Sequence, residues 1–232
     1  MTAEQLEELR AFDTPTVSNA IELFGVRPRT EGFMGPEIKC IIPIDKPMVG
    51  YACTGRMSSG APPIAEQQDP WRAFFSSARE TPSPTIAVIQ DMDPSSVGSL
   101  WGEVNVSSAK AMGCVGVVTN GGVRDVTDVA RLDFGYFAGC VLVSHAWDHL
   151  EAVGGPVEVG GLTVNPGDLL HADRHGVLVV PLEIAGGLAD ACRQVQSAEK
   201  VVMKGCREAG YDVDVEQLMK WREEMTRRRS LG

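Results

Sequence analysis

Residues 98–125 read GSLWGEVNVSSAKAMGCVGVVTNGGVRD, and this stretch shows a clear alternation of helix and strand patterns. A loop precedes a helix over 101–112, which ends at Gly113 because glycine is the usual residue just past a helix end. The apolar run 115–119 predicts a buried strand, and Asn-Gly-Gly directly after it predicts a tight turn. A second helix is expected over 124–132. The alternation of strand and helix indicates an α/β fold.

The flanking segments continue this pattern towards both ends of the chain. The apolar run 85–90 predicts a buried strand, and 140–144 predicts another. The proline-rich stretch 58–84 predicts a short amphipathic helix. The remaining predicted elements are a helix over 3–12, a helix capped by Thr14 that stops at Gly25, strands at 40–42 and 51–57, a hairpin over 157–164, strands at 169–172 and 177–180, a helix from Pro181 to about Cys206, and a last helix over 215–229. Because we find no internal repeat and no linker, we predict one domain over 1–232, with a core of about 13–205 and a helical extension over 206–232.

Composition excludes several classes of protein. The chain has 232 residues, of which 44% are hydrophobic, and this excludes general disorder. Lys and Arg total 21 against 31 Asp and Glu, and the net charge of −10 disfavours nucleic acid as a partner. We find no apolar run near the roughly 20 residues that span a bilayer. The acidic, amphipathic start is unlike a signal peptide, and the six cysteines form no CxxC pair, so we expect a cytoplasmic protein with reduced thiols.

Two loops carry the residues best suited to chemistry. The loop over 99–102 opens a helix, whose free N–H groups favour an anionic ligand, and Glu103 lies in the first turn. Twenty residues separate Glu103 from Arg124 and Asp125, which follow the end of a strand, where ligands bind in open α/β sheets. Carboxylates with waters suit Mg²⁺ or Mn²⁺, and a guanidinium can hold a carboxylate. The alternative is that Arg124 and Asp125 only begin a helix, with Asp favourable to its dipole and Arg in an ion pair.

These residues resemble the signature of the RraA-like family. That family contains the class II 4-hydroxy-4-methyl-2-oxoglutarate (4-carboxy-4-hydroxy-2-oxoadipate) aldolases and the regulator of ribonuclease activity A. Its pattern is an acidic residue, twenty residues, and then Arg-Asp, and this chain is similar except that Glu103 stands where many members carry Asp. Three other segments also resemble the family, and they read DTPTVSNAIELFG, PMVGYACTGRM and VNPGDLLHADRHGVLVVP. The likeness covers most of residues 13–205.

The resemblance implies a swivelling β/β/α-type domain with helices at both ends. It implies a homotrimer or homohexamer with the active site between subunits. It also implies a divalent cation, Mg²⁺ or Mn²⁺, near Asp125, with metal-bound waters held by Glu103 and by Glu199 of a neighbouring subunit. For Glu199, a solvated helix glutamate is the alternative. The pyruvyl group of the substrate would be bound by Arg124 and by the backbone N–H groups of Leu100, Trp101 and Gly102.

The function that the resemblance implies is that of a carbon–carbon lyase. It would cleave a 4-hydroxy-2-oxo acid, such as 4-hydroxy-4-methyl-2-oxoglutarate, to pyruvate, with oxaloacetate decarboxylation as a side activity. The small 2-oxo acid is then the expected partner, and neither nucleic acid nor membrane is. The alternative is a non-catalytic protein that binds and inhibits a ribonuclease.

Several other polar residues have simpler interpretations. His145 and His149 would share one face if they lay on a helix, and we expect them in the core or at an interface. His175 lies in a predicted turn, with a role as acid or base as the alternative. Asp91 and Asp93 end a buried strand and either form a turn or face the same site as Arg124.

Overall fold

The computed structural model describes residues 1–64 and 70–230, and it divides the chain into two compact units. One is Gly32–Val180, and the other combines Met1–Glu31 with Pro181–Gly232. The single domain over 1–232 therefore stays a prediction. Part of the stretch 58–84 falls on 65–69, outside the described residues. Within the described chain, the helices are too short or too polar to cross a lipid bilayer.

In residues 32–64 and 70–180, the described part of the central unit, there are ten strands. They are β1 (Lys39–Cys40), β2 (Met48–Ser58), β3 (Thr85–Asp91), β4 (Cys114–Val123), β5 (Gly135–Val141), β6 (His149–Val153), β7 (Val157–Val159), β8 (Leu162–Val164), β9 (Leu169–Asp173) and β10 (Gly176–Val180). Eight of them form one sheet in the order β1-β5-β4-β3-β2-β9-β10, with β6 also paired to β2, and β7 pairs with β8. Strands β2 to β5 run parallel to one another, and the other pairs are antiparallel. The predicted α/β fold is confirmed.

The middle strands are apolar because both faces of the sheet are covered, as is usual for parallel strands. In β3, successive side chains alternate between two cores. Ile89 packs in the core that contains Phe74 and Trp101, and Val88 packs in the core that contains Phe137. All of these side chains are fully buried. This burial fixes the register of the strands, and with it the positions of the loops that follow β3 and β4.

Of the α-helices in the part of the chain that the structure describes, three belong to the central unit and four to the terminal unit. They are α3 (Pro70–Glu80), α4 (Glu103–Ala111) and α5 (Val126–Val129) in the first, and α1 (Ala3–Leu9), α2 (Thr14–Glu22), α6 (Leu188–Ala209) and α7 (Val215–Arg229) in the second. The N-cap of α2 is Asp13, whose carboxylate accepts from the Thr16 N–H at 2.9 Å, and the prediction of Thr14 was wrong. Helix α6 begins at Leu188 and not at Pro181, after a 3₁₀ turn.

The structure also corrects the segment after residue 119. Residues 120–122 do not form a turn, because β4 continues through them to Val123 and Gly122 pairs with Cys140. Glycine permits this extension: a Cβ on Gly122 would lie 2.4 Å from the Leu142 side chain. The helix expected over 124–132 is reduced to the four residues of α5 and a 3₁₀ turn. Strand β5 begins at Gly135, earlier than predicted.

Candidate functional site

Two loops meet at the carboxyl end of β4. Trp101 forms a parallel bridge with Val123, and the Arg124 N–H donates to the Trp101 carbonyl at 2.9 Å. The Ser99 hydroxyl donates to the same carbonyl at 2.9 Å, and the Asn105 amide donates to the Leu100 carbonyl at 2.6 Å. The loop before α4 is therefore fastened to the end of β4 like a short additional strand.

A buried phenol joins the same two loops. The Tyr136 hydroxyl on β5 lies 2.7 Å from the Trp101 carbonyl oxygen and 3.0 Å from the Arg124 carbonyl oxygen. Burial raises the pKa of Tyr136, so the phenol keeps its proton and remains a donor. The sequence analysis did not identify this residue. The only available signal was that a buried tyrosine hydroxyl usually finds a partner, which does not say where that partner lies.

The residues predicted for the site in these two loops, Glu103, Arg124 and Asp125, contact one another. The Glu103 N–H donates to Asp125 Oδ2 at 3.0 Å, so Asp125 supplies an acceptor at the start of α4. Arg124 Nε lies 3.8 Å from the same oxygen, and the two side chains are 35% and 38% exposed. Asp125 has φ 53° and ψ 36°, a left-handed conformation in which Asp is one of the less disfavoured residues. The bonded loops around it hold this strained backbone in place.

Gly102 allows this cluster to be compact. A Cβ at this position would lie 2.5 Å from Asp125 Oδ2 and 3.0 Å from Arg124 Nε. The backbone of Gly102 is extended, with φ −143° and ψ −173°, and other residues can adopt it. Space, and not backbone conformation, therefore requires glycine here.

Hydrogen-bond donors remain available at the cluster. Arg124 Nε is buried and has no hydrogen-bond partner within the described residues. Over the same residues, the N–H groups of Leu100 and Gly102 have no acceptor, whereas Trp101 is engaged in the bridge to β4. An anionic oxygen bound here would satisfy donors that the protein itself leaves open.

The carboxylates suit a hard cation that keeps part of its water shell. Residues 1–64 and 70–230 contain no group of three or more His, Cys, Asp or Glu side chains that could enclose a metal ion. Asp125 Oδ1 and the Glu103 carboxylate have no hydrogen-bond partner in that part of the chain. Mg²⁺ is commonly bound through one or two carboxylates while it retains several waters. The donor set of this chain thus fits Mg²⁺ with water and substrate as further ligands, and it does not fit a metal that needs a closed protein cage.

A cavity of about 310 Å³ opens beside the cluster. Its lining residues are Leu100, Gly102, Val104, Asn105, Arg124, His145 and Asp148. His145 Nδ1 lies 3.2 Å from Asp148 Oδ1, and the Asp148 side chain is only 19% exposed. Burial raises the pKa of Asp148, and the charges of His145 and Arg124 oppose this rise without cancelling it. The sequence analysis did not single out Asp148.

The weaker candidates lie in different surroundings. His145 is in the loop after β5 and His149 begins β6, so a helix with both on one face is wrong. His175 lies in the turn between β9 and β10, with Nδ1 3.0 Å from Asp173 Oδ1. Glu199 lies half-buried on α6 in the terminal unit, and its part in a site stays a prediction.

The two aspartates at the end of β3 have opposite environments. Asp93 accepts four hydrogen bonds from residues 58–60, at 2.7 to 2.9 Å, and so holds the loop after β2. Burial raises the pKa of Asp93, but these hydrogen bonds outweigh it and keep the pKa below the usual range. Asp91 is buried, its Oδ2 has no hydrogen-bond partner in the described part of the chain, and burial raises its pKa.

A model of one protein family matches most of the chain. A family model described as RraA-like, Aldolase/RraA, matches residues 14–179. A relative from Halalkalibacterium halodurans named "Putative 4-hydroxy-4-methyl-2-oxoglutarate aldolase" is 28% identical over 100 residues, which are 43% of this chain and 48% of that protein. The chain matches about half or less of the length of its curated relatives.

Two solved structures share the fold. An uncharacterized protein from Pseudomonas syringae pv. tomato superposes with a TM-score of 0.73 at 24% identity, over 95% of this chain and 94% of that one. Streptomyces coelicolor RraAS2, described as an unusual member of the RNase ES inhibitor RraA protein family, gives 0.69 at 21% identity, over 86% and 96%. At these identities the likeness concerns the fold alone.

Proposed function

Since the chain belongs to the RraA-like family, we propose that it is a divalent-metal-dependent lyase that cleaves a 4-hydroxy-2-oxo acid, such as 4-hydroxy-4-methyl-2-oxoglutarate, to pyruvate. The proposal is carried by the contact of Arg124 with the Asp125 carboxylate at the start of α4, where the Glu103 N–H donates to Asp125, beside the 310 Å³ cavity that Arg124 lines. Relatives named as aldolases of this type support it. Oxaloacetate decarboxylation is the expected side activity, because it forms the same enolate.

The substrate is held by the donors that the protein leaves open. Its carboxylate and 2-oxo oxygens face the Arg124 guanidinium and the N–H groups of Leu100 and Gly102. A cation held by Asp125, and through water by Glu103 and Glu199 of a neighbouring subunit, would add positive charge at those oxygens. The donors are fixed before reaction by the Tyr136 and Trp101 contacts, so little reorganisation is needed when negative charge develops.

Bond cleavage then needs one proton acceptor and one electron sink. A water oriented by the exposed Glu103 carboxylate takes the proton of the C4 hydroxyl. The electron pair of the C3–C4 bond moves into the C2–C3 bond, giving the pyruvate enolate, while C4 leaves as a carbonyl carbon. Arg124 balances the enolate oxygen, and protonation at C3 completes pyruvate.

Proton exchange at C3 of pyruvate tests enolate formation without the true substrate. The protein is incubated with pyruvate and Mg²⁺ in D₂O, and loss of the methyl signal is followed by NMR. Pyruvate release from 4-hydroxy-4-methyl-2-oxoglutarate and from oxaloacetate is measured in parallel. Arg124→Ala should slow exchange by about 10²–10³-fold, the usual effect of removing one such donor. Arg131→Ala is the matched control, since Arg131 is exposed and pairs with Asp128.

The outcome decides between two functions. The lyase proposal would be contradicted if pyruvate proton exchange did not depend on the metal. It would also be contradicted if exchange with protein and Mg²⁺ were no faster than with Mg²⁺ alone. Capture of a ribonuclease by the protein, with no exchange, would favour the alternative of a non-catalytic inhibitor. A homotrimer or homohexamer and a cytoplasmic location remain part of the proposal, and sedimentation measures the first.

A further inference from the structure

The cavity beside Arg124 contains a carboxylate that the proposed reaction does not use. Among its lining residues, Arg124 is the one permanent cation and Asp148 the one carboxylate, and the rest are apolar or neutral apart from His145. Asp148 is mostly buried, and its carboxylate contacts the His145 ring. The cavity is therefore cationic where Arg124 lies and anionic where Asp148 lies.

The loop that carries Asp148 is tied to its neighbours. The Ser144 carbonyl accepts from the Ser99 N–H at 3.0 Å, next to the loop that faces the substrate. The Trp147 N–H donates to the Ser59 carbonyl at 3.1 Å, and the Asp148 N–H donates to the His145 carbonyl at 3.0 Å. Gly98 packs so closely that a Cβ there would lie 2.4 Å from the His145 carbonyl oxygen. These contacts fix the backbone of the loop, and Asp148 lines the cavity from it.

The two ends of a 2-oxo acid meet different charges in such a cavity. Every 2-oxo acid presents the same carboxylate and 2-oxo oxygens to Arg124 and to the N–H groups of Leu100 and Gly102, so that end does not discriminate. The far end of the molecule occupies the remaining space, where Asp148 is partly shielded from water. A second carboxylate there meets a like charge at short range in a medium less polar than water, which is unfavourable.

We propose that Asp148 is a specificity-determining residue that makes this site select 2-oxo acids with an uncharged far end over 2-oxo dicarboxylates. The inference rests on the proposed lyase function and narrows its substrate class. The two compounds named above, 4-hydroxy-4-methyl-2-oxoglutarate and oxaloacetate, both carry a second carboxylate; they remain substrates, but a 4-hydroxy-2-oxo monocarboxylate would be cleaved more efficiently.

A matched pair of ligands tests the preference by binding alone. The compounds 2-oxopentanoate and 2-oxoglutarate have five carbons each and differ in a terminal methyl or carboxylate. Their dissociation constants are measured by isothermal titration calorimetry with Mg²⁺ at pH 8. The wild-type protein should bind 2-oxopentanoate more tightly. Asp148→Asn should lower the dissociation constant of 2-oxoglutarate about tenfold, as expected when one partly shielded like charge is removed. The dissociation constant of 2-oxopentanoate should change little.

Two further variants test whether the change in binding arises from the charge of Asp148. Asp148→Ser removes the charge without an amide that could form a new contact, and it should shift the ratio in the same direction. Glu151→Gln removes an exposed carboxylate from β6, outside the cavity lining, and should leave both constants unchanged. Thermal unfolding of each variant checks that it is folded.

The outcomes separate this inference from the function on which it rests. The specificity role would be overturned if the wild-type protein bound 2-oxoglutarate more tightly than 2-oxopentanoate. It would also be overturned if the ratio of the two dissociation constants were unchanged in both Asp148 variants. A preference of the wild-type protein for 2-oxopentanoate that is lost in both Asp148 variants supports the specificity role, even if pyruvate proton exchange is absent. In that case the lyase proposal fails and a binding site for 2-oxo monocarboxylates remains.

Discussion

Replacing Gly102 by Ala should disable the site while leaving the protein folded. The added methyl would lie 2.5 Å from Asp125 Oδ2 and 3.0 Å from Arg124 Nε. The first separation is about 0.9 Å short of the 3.4 Å at which ordinary contact begins, and a misplacement near 1 Å can cost on the order of 100-fold in rate. Because Asp125 is 38% exposed and can move outward, we expect a stability loss near the lower end of the usual 1–3 kcal/mol for overpacking, about 1 kcal/mol.

The assays for this variant are pyruvate C3 exchange in D₂O with Mg²⁺ and urea unfolding. Gly186→Ala is the matched control, because its Cβ would have only one neighbour, the Gln5 amide nitrogen at 3.8 Å. It should exchange pyruvate at the wild-type rate. Full exchange activity in Gly102→Ala would refute the reasoning, since it would mean that the approach of Gly102 to Asp125 and Arg124 does not matter for the site.

Three other perturbations follow from the same contacts. Tyr136→Phe removes the hydroxyl between the two loops and should lower the unfolding free energy in urea by about 0.5–1.5 kcal/mol and slow pyruvate exchange; an unchanged rate would contradict its positioning role. Asp93→Asn should destabilise the protein by about 1–3 kcal/mol at pH 7. Since the pKa of Asp93 is lowered on folding, its stabilisation is present above about pH 4 and is lost as the pH falls further, so the difference from wild type in urea should shrink near pH 3. Burial raises the pKa of Asp91 on folding, so its charged form destabilises the fold as the pH rises above about 4. Asp91→Asn should therefore raise the melting temperature more at pH 8 than at pH 4. An equal rise at both pH values would speak against a buried charge.

Local sequence patterns predicted the presence of helices and strands better than they predicted where these elements begin and end. The strand predicted over 85–90 matches β3 to within one residue, because a continuous apolar run is typical of a parallel strand that is buried on both faces. Residues 120–122 were misjudged for a physical reason. Asn-Gly-Gly favours a turn in isolation, but here the absence of side chains lets β4 pass close to Leu142 and continue to Val123. The sequence alone does not distinguish a glycine that bends the chain from one that makes room.

The site shows the same division. The order of residues placed Glu103 in the first turn of a helix and Arg124 after a strand, and both features are present in the structure. The contribution of Tyr136 could not be foreseen, because its hydroxyl reaches carbonyls 35 and 12 residues away along the chain. Asp148 likewise enters the cavity only because its loop is bonded to Ser59 and Ser99.

By itself, the sequence determined what depends on neighbours along the chain: the alternation of helix and strand, the buried character of the middle strands, and the kinds of charged group at the loops. Hydrophobic periodicity and glycine positions are local properties, and they are legible without coordinates. The tertiary structure alone decided which groups touch, namely the approach of Gly102 to Asp125, the phenol of Tyr136 and the carboxylate of Asp148. These contacts arise from strand pairing across long stretches of chain, and no local pattern records such pairing.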